Sequence, residues 1–239
     1  MHVFRRLRGV QMKTSFRGFM GALALCLLPL TGYSEPKWEK IRDDANMQIY
    51  RGVVAGSPLT AFKGVRVMDA KITKIVEVIV SEDTAMRKNW VDRLSKFDVL
   101  EKRSANDWTF YAAYDMPWPI DNRDYVIDGK MSIDPAQNQV LISMKSVQHA
   151  KGPKTVGVRA ELMDSTYKLV PLPGDKTEVT VTIQTDPRGE LPPWLVNLIQ
   201  KSWPANTLTK LEATARGPGI KEHEGVKARL DGSKLASGN

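Results

Sequence analysis

Tyr125-Val126-Ile127-Asp128-Gly129-Lys130-Met131-Ser132-Ile133 is the stretch on which the fold turns. Tyr125, Ile127, Gly129, Met131 and Ile133 fall on one side of a two-residue period and Asp128, Lys130 and Ser132 on the other, the pattern of a strand with one buried and one wet face. The alternation recurs further along. Val140, Ile142 and Met144 oppose Ser143 and Lys145; Val156, Val158, Ala160 and Leu162 oppose Arg159 and Glu161; Val179, Val181 and Ile183 oppose Thr180, Thr182 and Gln184. Half-wet strands of this kind belong to an antiparallel sheet. Runs over 47–53, 61–68 and 109–114 add strands, while 72–82 and 84–94 carry helical spacing, with Trp90 and Leu94 four apart on one face.

After residue 190 the period changes. Leu191, Trp194, Leu195, Leu198, Ile199, Ala205, Leu208, Leu211 and Ala215 recur at three and four, which predicts an amphipathic helix of about six turns. Pro192 and Pro193 suit its first turn, and Pro204 is expected to kink or split it. The fold class is α+β: a curved antiparallel sheet followed by one long C-terminal helix lying across its concave face, an arrangement that can enclose a cavity.

The chain divides into three parts. Residues 1–34 hold a basic stretch ending at Arg17, an apolar run of about a dozen residues from Phe19 to Leu30, and small residues up to Ser34, the pattern of a secretory signal peptide. The run is too short to span a bilayer comfortably. Residues 35–216 form one domain, and 217–239, polar and punctuated by glycine, are expected to be a flexible tail. The only cysteine, Cys26, lies in the apolar run and is expected to leave with the signal, so the exported domain carries no thiol chemistry. Export across the inner membrane to the periplasm is the expected localisation.

A formal charge of +8 invites a nucleic-acid reading, but the positive charge is at the ends. Five basic residues and no acidic one precede residue 35, and five against three follow residue 215, leaving the middle near +1. That is no surface for neutralising a phosphate backbone, so no nucleic-acid partner is expected. Nor is there a catalytic constellation. His2 falls in the signal, His223 in the tail, and His149 has no second imidazole at ligand spacing, so neither a metal site nor a cofactor is expected. Gly-x-Ser-x-Gly, Gly-x-Gly-x-x-Gly and P-loop patterns are absent from the sequence.

A set of short words, in order, resembles one family. Trp38, taken as opening an N-terminal helix, leads to Asp43-Asp44 and Met47-Gln48-Ile49-Tyr50; then come Trp108-Thr109-Phe110-Tyr111, Pro117-Trp118-Pro119 and Asn122-Arg123-Asp124-Tyr125-Val126. Gly157-Val158-Arg159-Ala160-Glu161, Val170-Pro171-Leu172 and the run from Asp186-Pro187-Arg188-Gly189-Glu190 through Pro193-Trp194-Leu195 complete the series, which reaches Glu212. The chain resembles the START domains, the lipid-transfer family related to the steroidogenic acute regulatory protein. The resemblance implies a helix-grip fold whose last helix closes a hydrophobic tunnel around a single lipid, such as a sterol or phospholipid, carried or sensed without chemical turnover. It also implies a non-enzyme, acting as a monomer, whose partners are the lipid and, transiently, a membrane surface. A cavity-based cyclase or hydrolase of the same fold superfamily, or a protein-binding module, is the alternative.

If the inward faces line a cavity, Phe110, Tyr114, Tyr125, Ile127, Met131, Ile142, Met144 and Trp194 are its candidate residues, with core packing as the competing role. Arg123 has two readings, a guanidinium fork for a lipid carboxylate or phosphate, or a pairing with an acidic neighbour that holds the loop at 117–122. Some sterol-binding relatives carry a second arginine six residues further on; here that position is Gly129, which leaves space there. Trp118, between two prolines, is a candidate gate or membrane contact. The other expected gates are residues 172–176 and the start of the last helix.

Overall fold

The computed structural model describes residues 36–53, 59–191 and 193–236, the side chains of 193–201 and 231–236 excepted. Ten strands form one curved sheet: β1 (Lys37–Asp44), β2 (Met47–Val53), β3 (Thr60–Met68), β4 (Leu94–Ser104), β5 (Asp107–Tyr114), β6 (Arg123–Asp134), β7 (Gln139–Ser146), β8 (Val158–Arg159), β9 (Glu161–Leu172) and β10 (Lys176–Asp186). Their order is β1-β2-β3-β10-β9-β7-β6-β5-β4, all neighbours antiparallel, with β8 pairing β6 in parallel. The register puts Trp108 opposite Gly129, Gly129 opposite Met144 and Met144 opposite Ser165. One row of inward residues therefore crosses four strands. Register shifts in β1, β4 and β9–β10 are irregularities of the bulge type, which bend a strand and raise its twist.

Four helices accompany the sheet: α1 (Ile72–Val80), α2 (Thr84–Trp90), α3 (Pro193–Ala215) and α4 (Glu224–Ala236). Ile75, Val76 and Val78 of α1 and Leu208, Leu211 and Ala215 of α3 are wholly buried, against Val140, Ile142, Leu169, Val179 and Val181 from the sheet. Gly64 lets α3 come this close to β3. A Cβ there would stand 2.8 Å from Leu208 Cδ1 and 3.0 Å from Pro204 Cβ. Glu212 then pins the helix, accepting from Arg66 Nε at 2.7 Å and from the Asp69 N–H at 2.9 Å. α3 runs through Pro204 as one element, so of the kink or split expected there the split does not occur.

Three further expectations are corrected. Trp38 lies in a strand, not a helix: β1 pairs with β2, and the indole covers Gly52 with Lys63 Nζ 4.5 Å from its ring. The run from Val156 to Leu162 is not one strand. Gly157 sits against the Asn122 backbone, Val156 is exposed, and the pairing restarts at Glu161. Residues after 217 are not merely a flexible tail, because α4 packs Val226 and Leu230, one helical turn apart, into the core while the His223 N–H donates to the Thr73 carbonyl at 3.1 Å. A stripe of two apolar residues between Gly225 and Gly232 is too narrow to stand out from a polar sequence.

Candidate functional site

α2 is short, and Asp83 starts it by accepting from the Ala85 N–H at 2.8 Å. Arg87 and Trp90, three apart, share its inward face and are both nearly fully buried. The Arg87 guanidinium donates through Nε to the Ser81 carbonyl at 2.6 Å and through Nη2 to the Ile79 carbonyl at 3.1 Å. It thus caps the C-terminal end of α1, where carbonyls lack helical partners. Three of its five N–H groups have no partner among the described residues, and no carboxylate there pairs with it. Its carbon lies 3.9 Å from the centre of the Phe97 ring and 5.6 Å from that of Phe110. Burial pushes the guanidinium down to about 10, against the pull of Tyr114, Tyr167 and Glu82, so it is charged at neutral pH.

A cavity of about 350 Å³ opens beside this cation, with Arg87, Phe97, Val99 and Trp108 on its walls and Glu77 and Lys102 among its polar residues. Glu82 lines the cavity too, whereas none of Phe110, Tyr114, Tyr125, Ile127, Met131, Ile142 and Met144 does; behind it, aromatic rings pack in the core along the inner face of the sheet. Phe97 and Phe110 are 5.2 Å apart, Tyr114 meets Tyr125 edge to face at 5.6 Å, and Trp90 meets Tyr167 the same way at 6.3 Å. Burial raises the Tyr114 and Tyr167 hydroxyls above the ordinary tyrosine range, with Tyr125 adding to the first and Tyr114 to the second. Tyr125 is raised by burial too, while its hydroxyl lies 3.3 Å from Thr185 Oγ1.

Phe110, Tyr114, Tyr125, Ile127, Met131, Ile142 and Met144 all lie in one core cluster on the inner face. They divide by exposure. Met131 and Ile142 are opposite one another and sealed, so they pack; Tyr114, Tyr125 and Met144 are only half-buried. Trp194 belongs to the first turns of α3, and its side chain lies outside the described residues. Gly129 leaves no space, because the Trp108 indole fills it: a Cβ would stand 2.9 Å from Trp108 Cε2.

Arg123 is a clamp, though not through an acidic partner. It is buried and donates to the carbonyls of Pro187 at 3.2 Å, Arg188 at 3.1 Å and Asp121, tying the entrance of β6 to the segment before α3. Asp124 faces away from the core and accepts from Arg159 Nε at 2.5 Å, the Tyr111 hydroxyl at 3.0 Å and the Val156 N–H at 3.0 Å. Burial acts to raise its carboxyl, but these bonds outweigh it and hold the group below the usual carboxylate range. Trp118 is 93% exposed. Of the expected gates, residues 172–176 form the turn between β9 and β10, at the opposite end of β10 from the segment leading to α3. His149 lies 3.4 Å from Glu101 Oε2, outside the core cluster.

Arg87 and Tyr167 do not stand out in the sequence as site residues. The signal for Arg87 was its phase, three residues before Trp90; for Tyr167 it was the continuation of the β9 period between Leu162 and Leu169.

The START domain family model matches residues 20–217 of the chain. Among curated proteins, one of Pseudomonas aeruginosa is 29% identical over 179 residues, 74% of this chain and 86% of that one. Bovine phosphatidylcholine transfer protein is 24% identical over 174 residues, covering 72% of this chain and 80% of its own length. Human StAR-related lipid transfer protein 7, mitochondrial, is 25% identical over 123 residues, and the match spans only 33% of that longer protein. Among solved structures, the STAR-related lipid transfer protein of Xanthomonas axonopodis superposes with a TM-score of 0.65 at 26% identity, over 75% of this chain and 99% of that one. The human StarD13 lipid transfer and protein localization domain gives 0.67 at 20% identity, over 76% and 90%, a likeness of fold.

Proposed function

The chain belongs to the START domain family, whose domains are lipid-binding and transfer modules, and on that premise we propose that it carries one lipid with an anionic polar end between membranes in the periplasm. The observation that carries this reading is Arg87: a charged group buried among aromatic rings, next to a cavity, with no carboxylate partner among the described residues. A buried cation without a counter-charge is costly, and an anionic ligand removes the cost. The acyl chains leave the membrane for apolar side chains, gaining about 0.8 kcal/mol per buried CH₂. That requires no bond making, in keeping with the names of the lipid transfer proteins it is similar to.

Exchange needs an opening and a membrane contact. The first turns of α3 and the loop at 117–122 serve as the gate, since Arg123 holds the segment before α3 to the strand that this loop leads into. Trp118 touches the bilayer, an exposed indole being suited to the headgroup region. The test is transfer of a fluorescent phospholipid between donor and acceptor vesicles. Saturable acceleration by the exported form, residues 35–239, is expected; a rate equal to that of vesicles alone overturns the carrier role.

A further inference from the structure

We infer that the cavity has a second mouth, between the end of α1 and the β4–β5 turn, and that residues 218–236 are a lid over it which sets how fast the lipid leaves. The inference rests on the lipid-carrier reading above and adds a route of exchange to it. Arg87, Phe97 and Trp108 are buried at the inner side of the cavity, whereas Glu82, Lys102 and Ala105 are exposed at its outer side. No residue of the loop at 117–122 and no described residue of α3 lines it. That loop follows the far end of β5, whose eight residues put about 23 Å of extended strand between the two openings. Across the mouth, the Lys102 ammonium donates to Glu82 Oε1 at 2.5 Å, an exposed ion pair of the kind that water readily replaces.

His223 stands at one side of this mouth, immediately before α4. Its Nδ1 accepts from the Val226 N–H at 3.2 Å and so caps the helix, while its own backbone N–H donates to the Thr73 carbonyl of α1. The family match ends at residue 217, so the whole lid is added to the matched domain. Gly217-Pro218-Gly219 joins it to α3, and Gly219 has a φ of +81° with nothing within 4 Å of where its Cβ would stand, a point at which the backbone turns without strain. Beyond the His223 bond, the lid is held by Val226 and Leu230 in the core and by the Lys71–Glu222 ion pair at 3.1 Å. Its first turn stands over a hollow of about 630 Å³ between Glu77 and residues 221–225, and Glu77 and His223 are the two residues that this hollow shares with the cavity. A short helix seated on two side chains belongs to the least stable part of a fold and opens without the sheet unfolding. When it swings away, His223 leaves the wall with it and the mouth widens.

Release of pyrene-labelled phosphatidic acid from loaded protein, residues 35–239, into excess phosphatidylcholine vesicles tests this by stopped-flow fluorescence. Val226→Asp places a carboxylate where docking would bury it, so the open lid becomes more populated and release should quicken about tenfold. Ala105→Cys supplies the only cysteine of that form and, labelled with a bulky maleimide at the exposed rim of the mouth, should slow release about threefold. Release at the wild-type rate from folded Val226→Asp overturns the lid, and release at the wild-type rate from the labelled protein overturns the mouth; either leaves the carrier reading standing. If Val226→Asp does not fold, Val226→Ala, expected to quicken release about threefold, replaces it. A wild type that takes up no lipid overturns the carrier reading and the lid together.

Discussion

Arg87→Met separates the ligand role of the buried cation from its structural one. A guanidinium pulled down from its ordinary value to about 10 is disfavoured in its charged form by about 3 kcal/mol relative to water. Methionine removes that cost and fills most of the same volume. It also gives up the donors to the Ser81 and Ile79 carbonyls, about 1.5 kcal/mol each, and the stacking on Phe97, worth about 1–2 kcal/mol. The balance is a net loss of about 1–2 kcal/mol, measurable by urea denaturation without ligand. Binding should respond far more. Removing one member of a desolvated ion pair costs about 2–5 kcal/mol, so affinity for an anionic lipid should fall at least about 30-fold while diacylglycerol, with the same chains and no charge, binds as before. The assay is quenching of the intrinsic tryptophan fluorescence by each lipid. Anionic-lipid affinity within about threefold of wild type would rule out a ligand role for Arg87, as would equal loss for both lipids, which would mean a collapsed cavity.

The same cation sets a pH dependence. In the free protein Arg87 loses its proton through about pH 10, so affinity for an anionic lipid falls as pH rises past that value, and diacylglycerol titrated in parallel should not follow. Trp118→Ala should leave stability within about 0.5 kcal/mol, since the side chain is 93% exposed, and yet reduce co-sedimentation with vesicles. Asp124→Asn should cost about 3 kcal/mol by weakening the bonds from Arg159, Val156 and Tyr111. Because its native carboxyl titrates below the unfolded value, that stability is present above the unfolded value near 3.8 and is lost as pH falls through the native one; the variant's acid-unfolding curve should be correspondingly flatter. Gly64→Val should destabilise by about 1–3 kcal/mol, read as a lower urea midpoint, because its Cβ meets Leu208 and Pro204.

The fold was legible where one face of a strand is wet. β6, β7 and β10 follow period two because their outward residues meet water, and α3 follows three-four spacing because one side of it meets the sheet. Legibility failed where both faces are covered. Val126, Tyr111 and Ala113 form a second small cluster on the outer face, supported by Leu100 and Val147, and Asp124 is buried on that same side. A charged residue also reads as solvent-facing by default, which hid Arg87 although its phase with Trp90 was visible. Gly129 shows the converse limit: composition says that a side chain is missing, and only the cross-strand register says that Trp108 takes its place. Alternation marks Phe110, Tyr114 and Tyr125 as inward but not Phe97 or Tyr167, and which of the inward residues pack and which stay half-buried depends on how far α1, α2 and α3 reach across the sheet.

Carriage of the kind proposed requires that this domain hold one lipid. Native mass spectrometry of the protein purified from its own host, followed by solvent extraction of whatever is released, decides this. A discrete one-to-one adduct is expected, its extracted species bearing a phosphate or carboxylate. A bare protein mass that stays bare after incubation with vesicles would contradict it.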